Sequence, residues 1–377
     1  MRLTIRQLNR ATLGRQLLLR REPLDVIDAA RHLFAIQAQE PASPYLALWN
    51  RLDPFDPVDV DRAFAQRELT KATLLRMTLH AVHPDEYSPI HEAMQPTTRT
   101  RVLDRRFTST GLTIAEVDAL VPELLAYAAT TPRSNADMDS RAADFLDGRP
   151  ASRAWWAIKS FGPFVHAPTG GPWSFGQRPS YLAASDRNRP ADPHVALQHV
   201  VRRYLGAFGP ASVQDIAQFA LVHRSRARAA ISAIDAELVR YVGPDGTELY
   251  DVPGGLLPAE DSPAPPRLLP MWDSVLLAQA DRGRIIPPDY RALVTRRNGD
   301  VLPTLLVDGV VAGVWRAVEG GIEVHAFRQI TEADWAGVNA EASRLAALLA
   351  ERDAGVYSRY GHWWDEMPAA ETRCLPE

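Results

Sequence analysis

Cysteine, lysine and long apolar runs are all scarce in this chain, and each shortage closes off a class of protein. The one cysteine, Cys374, excludes an intrachain disulfide and any clustered thiolate site for zinc or iron–sulfur, and it fits a reducing, cytoplasmic setting. No run of about 18 uninterrupted apolar residues is present. The stretch from Met1 to Arg21 scatters six arginines among its apolar positions instead of grouping them ahead of a hydrophobic block. Neither a membrane span nor secretion is expected. Lysine occurs only at Lys71 and Lys159, leaving arginine to supply the rest of the 42 basic residues. Coding bias in a GC-rich genome explains that imbalance better than phosphate recognition does, because Ala, Pro and Asp are abundant too. The formal net charge of −4 argues against a protein that coats nucleic acid indiscriminately.

Familiar catalytic signatures are missing as well. There is no phosphate-binding glycine loop, no Gly-x-Ser-x-Gly and no dinucleotide fingerprint. His91-Glu92 lacks the second histidine of a zinc-protease helix. The run Asn135 to Asp139 begins like a calcium loop, but Ser140 stands where glycine is needed and Leu146 where glutamate is needed. No metal and no cofactor are expected.

What is present is the composition of a globular protein, with 46% hydrophobic and 23% charged residues over 377 positions, enough for two or three compact units. The patterning predicts an α+β fold, mainly helical. Thr4 caps a first helix, and Pro23 opens a second that runs toward Gln37. Short helices follow at 45–51 and 57–66, then one strand from Thr73 to Val82. That order recurs more weakly, with Thr113 capping a helix, another beginning at Arg141, and a wing-like stretch from Gly162 to Leu182. It recurs most clearly in the helices 194–207, 213–220 and 224–234, followed by a strand, the turn Gly243-Pro-Asp-Gly246 and a second strand. Pro253 to Pro270 reads as a linker or boundary. Beyond it, Asn298-Gly299 and Asp308-Gly309 mark two successive hairpins, Thr331 opens a closing helix to about Ala350, and the tail is loosely patterned. The predicted segments are three winged-helix-like units, 1–90, 91–190 and 191–256, and a β-hairpin-rich subdomain with a closing helix, 257–377.

By themselves, Gln37, Gln39 and Glu40 read as a solvated turn at a helix end. Their setting gives them more weight. The run Ile5 to Leu19, Ile36-Gln-Ala-Gln39 with Pro41 shortly after, Leu48 to Leu52, and Arg76-Met-Thr-Leu-His80 together resemble the winged-helix DNA glycosylase family typified by AlkZ. Leu269-Pro-Met-Trp-Asp273, Asp281-Arg282, Leu306-Val-Asp-Gly309 and Gly313-Val-Trp-Arg316 extend the likeness over nearly the whole chain. The resemblance implies about three tandem winged-helix units arranged around duplex DNA, removal of alkylated purines, and a catalytic pair at Gln37 and Gln39. A sister branch carries aspartate at the second position. Members found near antibiotic biosynthesis clear bulky N7-alkylpurines and unhook interstrand cross-links of the azinomycin type.

An amide has no useful pKa and cannot remove a proton as aspartate or histidine does. A purine alkylated at N7 is already a good leaving group, so placing water and stabilising an oxocarbenium-like sugar suffice. A regular helix would splay i and i+2 side chains by about 200°, so the pair requires the helix to loosen at Ala38. Only Lys71, Lys159 and the N-terminus offer an amine for a Schiff base, which predicts hydrolysis without lyase activity. For DNA contact the candidates are Arg296, Arg297 and Asn298 at one hairpin tip, with the Asp308-Gly309 tip competing, and Arg224, Arg226 and Arg228 near a recognition helix. His80 and Asp273 lie within two of the motifs and are candidates for orienting water or a phosphate. The tryptophans, among them Trp155, Trp156 and the pair Trp363-Trp364, are assigned to core packing ahead of base stacking. A monomer working on duplex DNA in the nucleoid is expected, and a non-enzymatic winged-helix regulator or a drug-sequestering protein are the competing readings.

Overall fold

The computed structural model describes residues 1–146, 154–185, 190 and 192–376. It divides into two units: residues 1–55, 204–216 and 236–377 form the first, and 56–203 with 217–235 the second. This division cuts across the four sequence-predicted segments instead of coinciding with them. Among the described residues no helix is long and apolar enough to cross a membrane.

The first unit is built on an antiparallel sheet of five strands in the order Glu371–Leu375, Gly321–Ala326, Val310–Val318, Thr304–Val307 and Arg267–Leu269. Strict alternation of burial along Gly321–Ala326 shows one side facing a core. The helix Glu332–Arg352, capped by Thr331 as predicted, buries Trp335, Val338, Ala342, Leu345 and Leu349. The Pro-rich run from Pro253 to Pro270 does not end as a linker, because Arg267–Leu269 is a fully buried strand within it. The tail likewise contributes a strand, Glu371–Leu375, that its pattern did not announce.

The first helix, Ile5–Arg15, has the expected cap, which is a full capping box between Thr4 and Gln7. Its polar face clasps the Asp308-Gly309 turn: Arg6 makes a two-pronged pair with the Asp308 carboxylate, Arg10 also reaches it, and Asn9 Nδ2 donates to the Gly309 carbonyl at 2.7 Å. Gly309 has φ +78°, and a Cβ there would stand 2.6 Å from Arg10 Nη1 and Leu13 Cδ1. The second predicted hairpin therefore forms, but its tip is packed against a helix.

In the second unit, antiparallel strands lie in the order Leu79–Val82, Thr70–Thr73, Phe164–Ala167, Ser180–Ala183 and Arg133–Ser134. The single strand predicted from Thr73 to Val82 is corrected to a hairpin, turned by Arg76 and Met77 at positive φ. Its core joins Val117, Leu120, Leu124, Met138, Trp155, Ile158, Phe161, Phe164 and Tyr181. Thr113 caps its helix as expected, whereas the next helix, Asn135–Phe145, begins at the Ser134 cap and not at Arg141. Asn135 to Asp139, the stretch resembling the start of a calcium loop, forms the opening of that helix.

The elements predicted between 191 and 256 all form: helices Pro193–Phe208, Val213–Ala220 and Arg224–Ala233, then strands Val239–Val242 and Glu248–Asp251 paired antiparallel. Residue 191, at the expected boundary, lies outside the described residues.

Candidate active site

Gln37 lies on a two-residue strand and Gln39 in the bend just after it. The preceding helix, Val26–Leu33, starts where the Asp25 carboxylate accepts from the Ile27 and Asp28 N–H groups. It stops at Phe34, whose φ of 72° and ψ of −66° cannot continue a helix. The Ala35 N–H donates to the Leu33 carbonyl at 3.0 Å, closing a three-residue turn. The chain leaves that turn as the short strand Ile36–Gln37. The expectation of a helix running toward Gln37 and loosening at Ala38 is thereby corrected: the helix has already ended at Leu33, Gln37 closes a two-residue strand, and Gln39 lies in the bend that follows. Gln37 is 2% exposed and Ala38 is buried, while a bend leaves Gln39 at the surface.

The segment is pinned from behind. Ser274 Oγ donates to the Ala35 carbonyl at 2.7 Å and accepts from the Gln37 N–H at 3.3 Å. Ser274 begins a turn of 3₁₀ helix capped by Asp273, whose carboxylate accepts from the Val275 N–H at 3.1 Å and from the two Nη atoms of Arg51 at 2.8 Å. Both members of that pair are buried. Asp273 faces Arg51, and its effect on Gln37 runs through Ser274. Sequence reading passed over Arg51, although it lies inside the quoted run Leu48 to Leu52.

Another wall comes from the tail. Glu40 accepts from Arg359, and from the Tyr360 hydroxyl at 3.0 Å. Ser43 Oγ and the Tyr357 hydroxyl are 2.9 Å apart. Burial, above all, pushes both phenols well above their usual range, so each stays protonated. Nothing in the tail's composition pointed to these tyrosines.

The turn carrying Arg296, Arg297 and Asn298 belongs to the same unit. It is no full hairpin: a single bridge joins Thr295 to Val301, and the residues that a hairpin would use as its first strand form the short helix Arg291–Val294 instead. Arg296 lies over the Trp363 ring at 4.4 Å and donates to the Ala292 and Leu293 carbonyls. Trp363 Nε1 donates to Asp300 at 3.0 Å, and Trp364 is buried. Arg297 and Asn298 are exposed. With the Asp308-Gly309 turn clasped by Arg6 and Arg10, the turn at 296–299 is the more open of the two candidate tips.

The remaining candidates lie in the second unit. Arg224 and Arg228 are exposed, while Arg226 donates to the Ala93 carbonyl at 3.2 Å, and burial holds its pKa below the usual value. Trp155 is fully buried and Trp156 is 38% exposed. Lys71 is buried with its ammonium 4.3 Å from the Phe175 ring centroid, and Lys159 Nζ lies 3.5 Å from the Tyr181 hydroxyl.

His80 is fully buried, with Nδ1 3.0 Å from the Thr78 carbonyl and Nε2 3.3 Å from Arg76 Nη2. Nδ1 therefore donates and Nε2 accepts, a neutral ring. Burial first and Arg76 second lower its pKa from 6.5 to about 3. Between those values the unfolded chain binds a proton that the folded chain refuses, so stability falls as pH falls through that window and levels off below it. His80→Asn should flatten this dependence, seen as a smaller loss of Tm between pH 7 and pH 5 than in the wild type. Equal losses would show that His80 carries none of it.

The arrangement is a braced Gln-x-Gln segment that leaves a short strand and bends, with one glutamine buried and one at the surface. Residues 30–348 match the AlkZ-like DNA glycosylase family. The chain is 26% identical over 367 residues to an interstrand DNA cross-link repair glycosylase of Streptomyces sahachiroi, covering 92% of this chain and 96% of that one. The structure of Streptomyces sahachiroi DNA glycosylase AlkZ has the same fold, with a TM-score of 0.80 at 24% identity over 94% of this chain and 98% of that one. With the match covering most of its length, the chain belongs to the AlkZ-like DNA glycosylase family.

Proposed function

We propose that this enzyme hydrolyses the N-glycosidic bond of cationic N7-alkylpurines in duplex DNA, bulky adducts and interstrand cross-links included, with Gln37 and Gln39 as the catalytic pair. It acts as a monomer in the cytoplasm, on the nucleoid, through tandem winged-helix units. The observation that carries this reading is the braced segment 36–40, which holds Gln37 on a short buried strand and Gln39 at the surface in the bend that follows. The C1′–N9 bond breaks with its electron pair going to the purine, which leaves neutral because N7 already carried the positive charge. Water adds to C1′ and gives up a proton to solvent. Neither glutamine exchanges a proton; their amide oxygens orient the water and face the positive sugar. Surface exposure of Gln39 suits a lesion too bulky to be drawn into a tight pocket. Arg297 and Asn298, exposed at their turn, are the proposed contacts to DNA in the first unit, with Arg296 held behind them against Trp363. Arg224 and Arg228, with the half-buried Arg226, are those in the second.

The test is single-turnover release of base from a duplex with one defined N7-alkylguanine, run with and without borohydride. Release well above spontaneous depurination, with no trapped protein–DNA adduct, is the expected result. DNA binding without release would replace the enzyme with a regulator, and a trapped adduct would add lyase chemistry.

A further inference from the structure

We propose that Tyr360 is a positioning residue for the Gln-x-Gln segment: with Glu40 and Trp272 it forms a buried strut that fixes Gln39 relative to the turn at Asn298 and Gly299. The contacts run without a gap. Glu40 follows Gln39 directly and accepts the Tyr360 hydroxyl at 3.0 Å. The Tyr360 ring meets Trp272 edge to face, with centroids 5.7 Å apart and planes at 74°. Trp272 Nε1 then donates to the Gly299 carbonyl at 3.0 Å. Tyr360 and Trp272 are 7% and 8% exposed, whereas Gln39, Arg297 and Asn298 are at the surface. Groups that would meet DNA are thus joined underneath by groups that would not.

The strut is anchored where the backbone is forced. Trp272 and Tyr357 are bulky residues at φ 56° and 61°, a conformation that persists only where surrounding contacts impose it. The Tyr357 hydroxyl takes the Met271 N–H and pairs with Ser43, tying the residue before Trp272 and the residues around Tyr360 to the chain just beyond Glu40. An amide that transfers no proton contributes only by being in the right place, and a misplacement of about 1 Å can cost on the order of 100-fold in rate.

The inference rests on the glycosylase reading for its effect on rate, but not for its effect on structure. Tyr360→Phe keeps the ring and loses the hydroxyl; Glu40→Met keeps the bulk and loses the acceptor. Each should slow base release at saturating DNA by roughly tenfold with half-saturation unchanged, and the double variant should be no slower than Glu40→Met, which already cuts the Tyr360 connection along with the Arg359 pair. Wild-type rates, multiplying losses or a change confined to half-saturation would overturn the proposal. Hydrogen exchange on the unliganded protein gives a readout free of activity. In Tyr360→Phe, amides of 36–40 and of 296–300 should gain exchange together, and unchanged protection would refute the strut whatever the enzyme does. Coupled exchange in a chain whose wild type releases no base would uphold the strut and fell the glycosylase reading.

Discussion

Asp273→Ala should cost about 3–5 kcal/mol of stability, the range for breaking a buried ion pair by removing one partner. The substitution leaves the Arg51 guanidinium, 2% exposed, without the carboxylate that takes both of its Nη atoms. One of those nitrogens keeps the Ala47 carbonyl, but Nε has no hydrogen-bond partner among the described residues, so nothing nearby absorbs the loss. The paired change Arg51→Met with Asp273→Leu should be much milder, because it removes both charges. Denaturant unfolding checks both, and a single-variant loss below about 1 kcal/mol would show that the pair is not what holds Ser274 against Gln37. By contrast, Asp308→Ala should cost little at its Arg6 end, since that pair is about half exposed.

Gln39→Ala and Gln37→Ala should each slow base release by about 100- to 1000-fold, as loss of one preorganised group facing transition-state charge does. The two should part company on stability. Gln39 is exposed, so its truncation should leave the unfolding midpoint in place; Gln37 is buried, so its truncation opens a cavity and lowers the midpoint as well. A rate loss in Gln37→Ala with full activity in Gln39→Ala would reduce the pair to one functional residue and assign the other to packing.

Much of this was legible in residues whose local chemistry decides local structure. Thr4, Thr113 and Thr331 each cap a helix where the sequence said so, and Asp308-Gly309 turns its hairpin. Misreadings fall where distant contacts overrule local preference. Apolar spacing carried the second helix on to Gln37, yet Phe34 turns out of it and Ser274, more than two hundred residues on, holds the strand that follows. Ala292 to Thr295 has strand-like composition but lies mostly in a short helix, and the Pro-rich run hides Arg267–Leu269 because three buried residues make no period. The glutamines themselves were found through likeness. Their bracing by Arg51, Ser274, Tyr357 and Tyr360 was not, because side chains brought together from opposite ends of a sequence leave no spacing to read.

That long-range construction sets an order of events during synthesis. Residues 1–55 share a unit with 236–377, while most of the second unit is one continuous stretch, 56–203. As the chain leaves the ribosome, its first fifty-five residues precede most of their own unit, and pairings so distant in sequence close slowly. The segment from Ile36 to Glu40 can gain its Ser274 brace only after residue 274 has emerged, and its Tyr360 brace later still. Nascent chains arrested before Arg267 should therefore leave the segment 36–40 more open to protease than it is in the finished chain, where Ser274 and Tyr360 brace it.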